Sequence, residues 1–188
     1  DINKSIIIVS MSSKKKITLL ISTLSGGGAE GVCVGIANSF AEKGWLVDLV
    51  VLNLKNEAYV DRLSDKVNLV VLNVNHARYS GLPLFKFIKK NKIKRLLVFN
   101  YELSVVLVML RLLLRLKIKI ISRNISTFSA KMNQFDQLSR WDKYAVGPLI
   151  KYFYHRVNYV VNQSNGMHED LTKIYPQLYD KASVIFNP

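Results

Sequence analysis

The sequence predicts an α/β fold, a Rossmann-like doubly wound and mainly parallel sheet, on three observations. Seven short apolar runs alternate with longer stretches of helical spacing, the signature of repeated βαβ units around a buried parallel sheet. A glycine-rich stretch, Ser22 to Cys33 (STLSGGGAEGVC), joins the first run to the first helical pattern. With 188 residues, 49% of them hydrophobic, and no linker or internal repeat, the chain can bury one sizeable core.

Taken in order, residues 1–15 read as an N-terminal extension: Met11 followed by Ser12, Ser13 and Lys14 looks like a natural start, so the first ten residues are upstream or appended sequence, with an extra edge strand as the competing reading. The expected strands are Ile17 to Ser22, Leu46 to Leu52, Val67 to Leu72, Arg95 to Phe99, Ile118 to Ser122, Tyr159 to Asn162 and Ser183 to Phe186. The expected helices between them are Ala29 to Lys43, Leu84 to Asn91, Glu102 to Leu116, Gln137 to Arg156 with a break near Gly147-Pro148, and Gly166 to Tyr175. The first helix is the best defined, because Val32, Ile36, Ala37 and Phe40 follow helical spacing and Gly44 supplies a stop. Cys33 lies inside it as a small core side chain. As the lone cysteine it permits no internal disulfide, so a reducing, cytoplasmic setting is the default. The three histidines are scattered, and no metal site is expected.

The net charge of +14 is unevenly placed: between Asp65 and Asp136 fourteen Lys and Arg face a single acid, Glu102. Such a field attracts polyanions, whether nucleic acid, anionic headgroups or phosphorylated substrates. The strongest membrane-span candidate, Leu103 to Leu116, carries two arginines and is short of the roughly 20 apolar residues a spanning helix needs. Lys86, Lys89 and Lys90 on one helix, Arg111 and Arg115 a turn apart on the next, and Trp141 among Tyr144, Tyr152, Phe153 and Tyr154 suit contact with an anionic membrane surface. The alternative is that the leucines are core and the lysines a solvated face.

In the glycine stretch, Gly26, Gly28 and Gly31 satisfy G-x-G-x-x-G. A dinucleotide site further demands that the first glycine follow the strand at once and that an acid stand about 20 residues beyond. Ser22 to Ser25 intervene, Asp48 lies inside the second strand and Glu57 comes too late, so both demands fail. A phosphate-binding P-loop fails for want of G-K-[ST]. A loop of three glycines opening a helix still lets an anion or a sugar approach the main chain, at the sheet edge where open parallel sheets bind ligands; a turn that only caps the helix is the bland reading.

The run ITLLISTLSGGGAEGVCVGIANSFAEKGWLVDLVVL resembles the opening of the N-terminal domain of GT-B glycosyltransferases of family 4, with a strand, a Gly-Gly-Ala-Glu turn, a helix ending in Lys-Gly and a second strand. IISRNIS (Ile120 to Ser126), VVNQSNGMHEDL (Val160 to Leu171) and VIFNP (Val184 to Pro188) are similar to later segments of that domain, in the same order. The resemblance covers Lys16 to Pro188. It implies one half of a GT-B fold, the acceptor-binding half of a retaining enzyme, paired with a C-terminal donor domain that binds a nucleotide-sugar as co-substrate; no cofactor is expected in this chain. It implies that the acceptor is a glycan or a lipid-linked glycan, and that Gly26, Gly27, Gly28, Glu30, Arg123 and Asn124 contact the acceptor or a phosphate; Asn100, which ends the fourth strand at the same edge, is a further candidate contact. The E-x7-E pair of donor domains is absent from the sequence, and Gly31 stands where relatives place Arg or Lys. No catalytic residue is assigned. Two other classes compete: a basic nucleic-acid-binding module, which lacks any recognition motif so that no nucleic acid is expected, and a nicotinamide oxidoreductase, which lacks the ribose acid.

Overall fold

The computed structural model describes residues 15–54, 58–137 and 139–187, so almost all of the expected N-terminal extension lies outside the described residues. Seven strands form one parallel sheet: β1 (Lys16–Ile21), β2 (Leu46–Val51), β3 (Val67–Val71), β4 (Arg95–Val98), β5 (Lys119–Arg123), β6 (Tyr159–Asn162) and β7 (Ala182–Val184). Their order is β3-β2-β1-β4-β5-β6-β7, and every neighbouring pair is parallel. The chain therefore winds outward one way from β1 and the other way from β4, which puts the topological switch between β1 and β4.

Strand side chains alternate between two cores. Leu19 and Ile21 of β1 join Val47, Leu49 and Val51 of β2 beneath α1 (Gly28–Glu42), whose Cys33, Val34, Ala37 and Ala41 are buried there. Leu20, Val50 and Leu52 join the larger core on the other face, with α2 (Gly81–Lys90), α3 (Tyr101–Leu113), α4 (Phe128–Gln137), α5 (Gly147–Phe153) and α6 (Asn165–Ile174). Burial pushes the Cys33 thiol well up, so it remains a protonated core group.

The expected strands are all present, each within two residues at its start and end. The region after β5 differs. Phe128 to Gln137 is a helix that the periodicity misses, because polar residues such as Ser129, Asn133 and Gln134 interrupt it; three rings and thioethers, Phe128, Met132 and Phe135, recur at helical spacing and are buried. The expected break at Gly147-Pro148 is instead a π-helical turn, Asp142–Val146, running directly into α5. Pro148 has no N–H to give to the preceding turn and its ring crowds that turn's carbonyl, and a widened turn relieves both.

A helix that alone connects two parallel strands runs back to the amino edge of the sheet, so α1, α2 and α3 point their C-terminal carbonyls there. Cations stand there beside several strand starts: Lys15 and Lys16, Lys94 and Arg95, Lys119, Arg156 and Lys181. Much of the basic excess thus faces the negative ends of the helix dipoles. Lys15, Lys16, Lys92, Lys94 and Arg95 line a cleft of about 380 Å³ at this edge, and Lys16 pairs with Asp48 at 2.9 Å.

Candidate functional site

The carboxyl edge of the sheet collects the residues singled out from the sequence. β1 ends at Ile21, and Ser22 to Gly27 lead into α1. Gly26 has φ +110°, a conformation that favours glycine, and a Cβ there would lie 3.2 Å from the Ala58 methyl. Gly27 is the N-cap of α1 without a side-chain cap. The Glu30 carboxylate folds back to the place where a Cβ on Gly27 would stand, and Thr23 Oγ1 donates to Glu30 Oε1 at 3.4 Å. An anion belongs at this helix start on electrostatic grounds, and the helix's own glutamate supplies one. Gly28 has open space on its Cβ side.

Asn100 is the N-cap of α3: its Oδ1 accepts from the Leu103 amide at 2.8 Å, and its Nδ2 donates to Ser22 Oγ at 2.6 Å. That bond crosses the switch point between β1 and β4. Glu102, in the first turn of α3, pairs with Lys131 at 2.9 Å, so its charge is held within the fold.

Arg123, the last residue of β5, is 3% exposed. Its Nη2 donates to Asn187 Oδ1 at 2.7 Å, while its Nε is buried without a partner, and burial holds the guanidinium below its usual range. Asn124 stands beside it but is turned inward and buried. Its Nδ2 donates to Asn162 Oδ1 at 2.9 Å, and its Oδ1 accepts from Tyr154 at 2.5 Å. Direct acceptor contact expected of the Asn124 side chain is therefore replaced by an internal role, because both of its polar ends are already engaged.

The residues that sequence reasoning missed form the rest of a buried polar chain. Ser104 Oγ donates to the Asn100 carbonyl at 2.8 Å and lies 2.9 Å from Ser122 Oγ. The Tyr154 hydroxyl lies 2.9 Å from Ser122 Oγ and 2.5 Å from Asn124 Oδ1. Its single proton faces both acceptors, Ser122 Oγ and the Asn124 amide oxygen, which leaves the Ser122 proton to be donated to Ser104 Oγ. Gln163 Nε2 donates to the Asn124 carbonyl at 2.9 Å, and Gln163 Oε1 accepts from Asn187 at 3.0 Å. Hydrogen bonds thus link the ends of β1, β4, β5 and β6 to Asn187. The sequence signal was there: Ser22, Ser122 and Asn162 are polar residues closing apolar strands.

The candidates for membrane contact separate. Lys86, Lys89 and Lys90 are exposed on α2, Arg115 is exposed beyond α3, and Trp141 is 53% exposed. Arg111 is not free to reach outward: its guanidinium donates to Asn158 Oδ1 at 2.5 Å and to the Arg156 carbonyl, satisfying the loop before β6. Tyr154, expected at a surface, is fully buried because its hydroxyl is consumed by the polar chain. Among the described residues no helix is long and apolar enough to cross a membrane.

A groove of about 540 Å³ begins at the switch point, with Ser22, Thr23, Asn53, Asn75, His76 and Asn100, and continues along α3. This is the ligand position expected of an open parallel sheet.

The fold is a Rossmann-like α/β sheet that matches domains of solved GT-B glycosyltransferases. Three solved structures illustrate the likeness. The lipopolysaccharide outer core galactosyltransferase WaaB superposes with a TM-score of 0.64 and 14% identity, over 92% of this chain and 46% of that one. HepE of Anabaena, solved in complex with UDP and glucose, gives 0.62 and 13%, over 92% and 44%. Sucrose-phosphate synthase of Thermosynechococcus elongatus gives 0.62 and 14%, over 92% and 48%. The chain spans a little under half the length of these structures. No family model matches the chain, and no curated protein sequence matches it.

Proposed function

We propose that this chain is the acceptor-binding half of a retaining, hexosyltransferase-type glycosyltransferase of family 4, transferring a sugar from a nucleotide-sugar to a glycan or lipid-linked acceptor in cell-surface glycan synthesis. The observation that carries the reading is the polar groove at the β1/β4 switch point, lined by Ser22, Thr23 and Asn100, on a fold shared with glycosyltransferases. In this reading a donor domain faces the carboxyl edge, and the isolated half does not turn over. The enzyme works on the cytoplasmic side, peripheral to an anionic membrane.

The groups available are positional and electrostatic. The α1 start, with the amides of Gly27 and Gly28, and the buried Arg123 guanidinium bear positive potential toward the cleft, suited to the charge that develops as a nucleoside diphosphate leaves. Glu30 already occupies that helix start, so a phosphate binding there displaces a carboxylate held by one long hydrogen bond. Gly27→Val drives a branched side chain into Glu30 and is expected to reduce turnover of the full-length enzyme.

Thermal melts of residues 1–188 with UDP-glucose, NAD and short oligonucleotides, alongside transfer of label from radiolabelled UDP-glucose and UDP-galactose by the full-length protein, test the assignment. The expected result is no saturable shift for the chain and transfer by the full-length protein. A saturable shift with UDP-glucose would place donor binding in these residues and overturn the acceptor assignment. A shift with oligonucleotides alone would favour the nucleic-acid alternative.

A further inference from the structure

The groove at the switch point does not end there. Its floor is one stripe of α3, Glu102, Val105, Val106, Met109, Leu110 and Leu113, spaced so that they share a single face of the helix. One wall is the turn from Asn75 to Gly81, and the other is built from Phe135, Trp141, Val146, Leu149 and Ile150. From Glu102 to Leu113 the stripe runs about 16 Å, at about 1.5 Å per residue. Its two ends differ in chemistry. At the carboxyl edge the groove presents Ser22, Thr23, Asn100, His76 and Arg78; along the rest it presents hydrocarbon.

The apolar end opens on unusually exposed hydrocarbon. Leu113 is 75% exposed, with Leu112 at 43% and Leu114 at 45% beside it, and Leu149 and Trp141 are exposed across the groove. Arg115 directly follows these leucines, and Lys89 and Lys90 close α2, the helix that packs beside α3. Among the described residues Arg78, Lys89, Lys90 and Arg115 take part in no ion pair. A soluble glycan would use the polar end and leave the apolar stripe in water. An occupant that satisfies the whole groove has a polar, anionic head at the switch point and a single long apolar chain along α3, leaving past Leu113 between cations that match a bilayer's headgroups.

We infer that the groove along α3 binds the hydrocarbon chain of a lipid-linked phosphate acceptor, with its head presented to the β1/β4 cleft. This rests on the acceptor-binding reading above and narrows its substrate class from glycan or lipid-linked glycan to the lipid-linked kind.

The test uses residues 1–188 carrying Trp45→Phe, so that Trp141 is the remaining tryptophan and reports from the groove wall. Dodecyl phosphate, kept below its micelle concentration, is titrated against dodecyl maltoside and inorganic phosphate. Dodecyl phosphate is expected to give a saturable blue shift of Trp141 emission, dodecyl maltoside a weaker one and inorganic phosphate none. Leu113→Glu and Met109→Glu place charge on the stripe and are expected to weaken dodecyl phosphate binding roughly ten-fold or more. Tyr179→Ser, a control at a 65% exposed position outside the groove, leaves it unchanged. Because Leu113 is so exposed, its variant keeps the parent melting temperature and remains informative if Met109→Glu misfolds. Equal binding in Leu113→Glu and the parent, or no saturable response to dodecyl phosphate, overturns the inference. The titration involves no sugar transfer: saturable binding with an inactive full-length enzyme would defeat the glycosyltransferase reading alone, and transfer to a water-soluble acceptor without dodecyl phosphate binding would defeat the lipid assignment alone.

Discussion

Two glycines show how local backbone decides what a residue is for. Gly26 sits at φ +110° with the Ala58 methyl 3.2 Å from where its Cβ would be, so Gly26→Ala forces either the turn or its neighbour to move. A loss of about 1–3 kcal/mol in urea unfolding is expected. Gly35 lies in the body of α1 with open space around its Cβ position, and Gly35→Ala is expected to stabilise by about 0.5–1 kcal/mol through the lower entropy of the unfolded chain. If both substitutions proved neutral, the turn after β1 would not hold the backbone described. Arg123 and Asn124 make the same point in side chains. They are adjacent in sequence, yet they point to opposite sides of β5: Arg123 toward α1 and Asn187, and Asn124 toward Tyr154. The alternation of a strand separates one ligand candidate from one scaffold residue, and residue type alone gives no means of telling which is which.

At the scale of elements, the polar chain from Ser22 to Asn187 ties together strand ends whose ladders stop at the carboxyl edge. Its centre is Tyr154, wholly buried, packed at a tilt against Tyr101 with 4.8 Å between ring centroids, and with its hydroxyl engaged on two sides. Burial pushes that phenol well above its usual range, so it acts as a fixed neutral donor. Tyr154→Phe keeps the ring and leaves Asn124 Oδ1 short of a donor in a dry interior. A loss of about 1–3 kcal/mol is expected by urea denaturation, while a change near zero would mean that water replaces the hydroxyl. The sequence carries part of this level. Its β strands were legible because unbroken aliphatic runs bounded by polar residues have few other uses, whereas α4 was hidden because Phe128, Met132 and Phe135 are its buried side chains among the described residues and most of the others are polar.

For the whole molecule the deciding feature is where a charge of +14 is spent. Some of it is internal to the fold: Arg111 holds the loop before β6, Arg123 is buried, Lys16 and Lys131 are paired, and cations at the amino edge meet helix C-termini. Cations left exposed near uncovered hydrocarbon include those of α2 and the end of α3, and Arg140 and Lys143 beside Trp141 and Tyr144. Sedimentation with anionic vesicles at low salt is accordingly expected to exceed that with neutral vesicles and to fall as salt screens the charge. Replacing Lys86, Lys89 and Lys90 by Glu should lower it more than replacing Lys92, Lys94 and Arg95 at the cleft lined by the amino edge. Equal losses would mean diffuse attraction without a preferred face, and no difference between lipids would remove the membrane reading.

The sequence by itself determined the strands, the parallel α/β class and the position of the glycine turn, because hydrophobic period and turn chemistry are local properties of the chain. Only the tertiary structure decided the strand order, and with it the switch point that brings Ser22 and Asn100 into contact across 78 residues of sequence. It also decided that a stripe of α3, half-buried at Val106, Met109 and Leu110 and exposed at Leu113, lines a groove beside a polar cleft. A helix face reads the same in sequence whether a neighbour covers it or leaves it open, and that difference arises only when the elements pack.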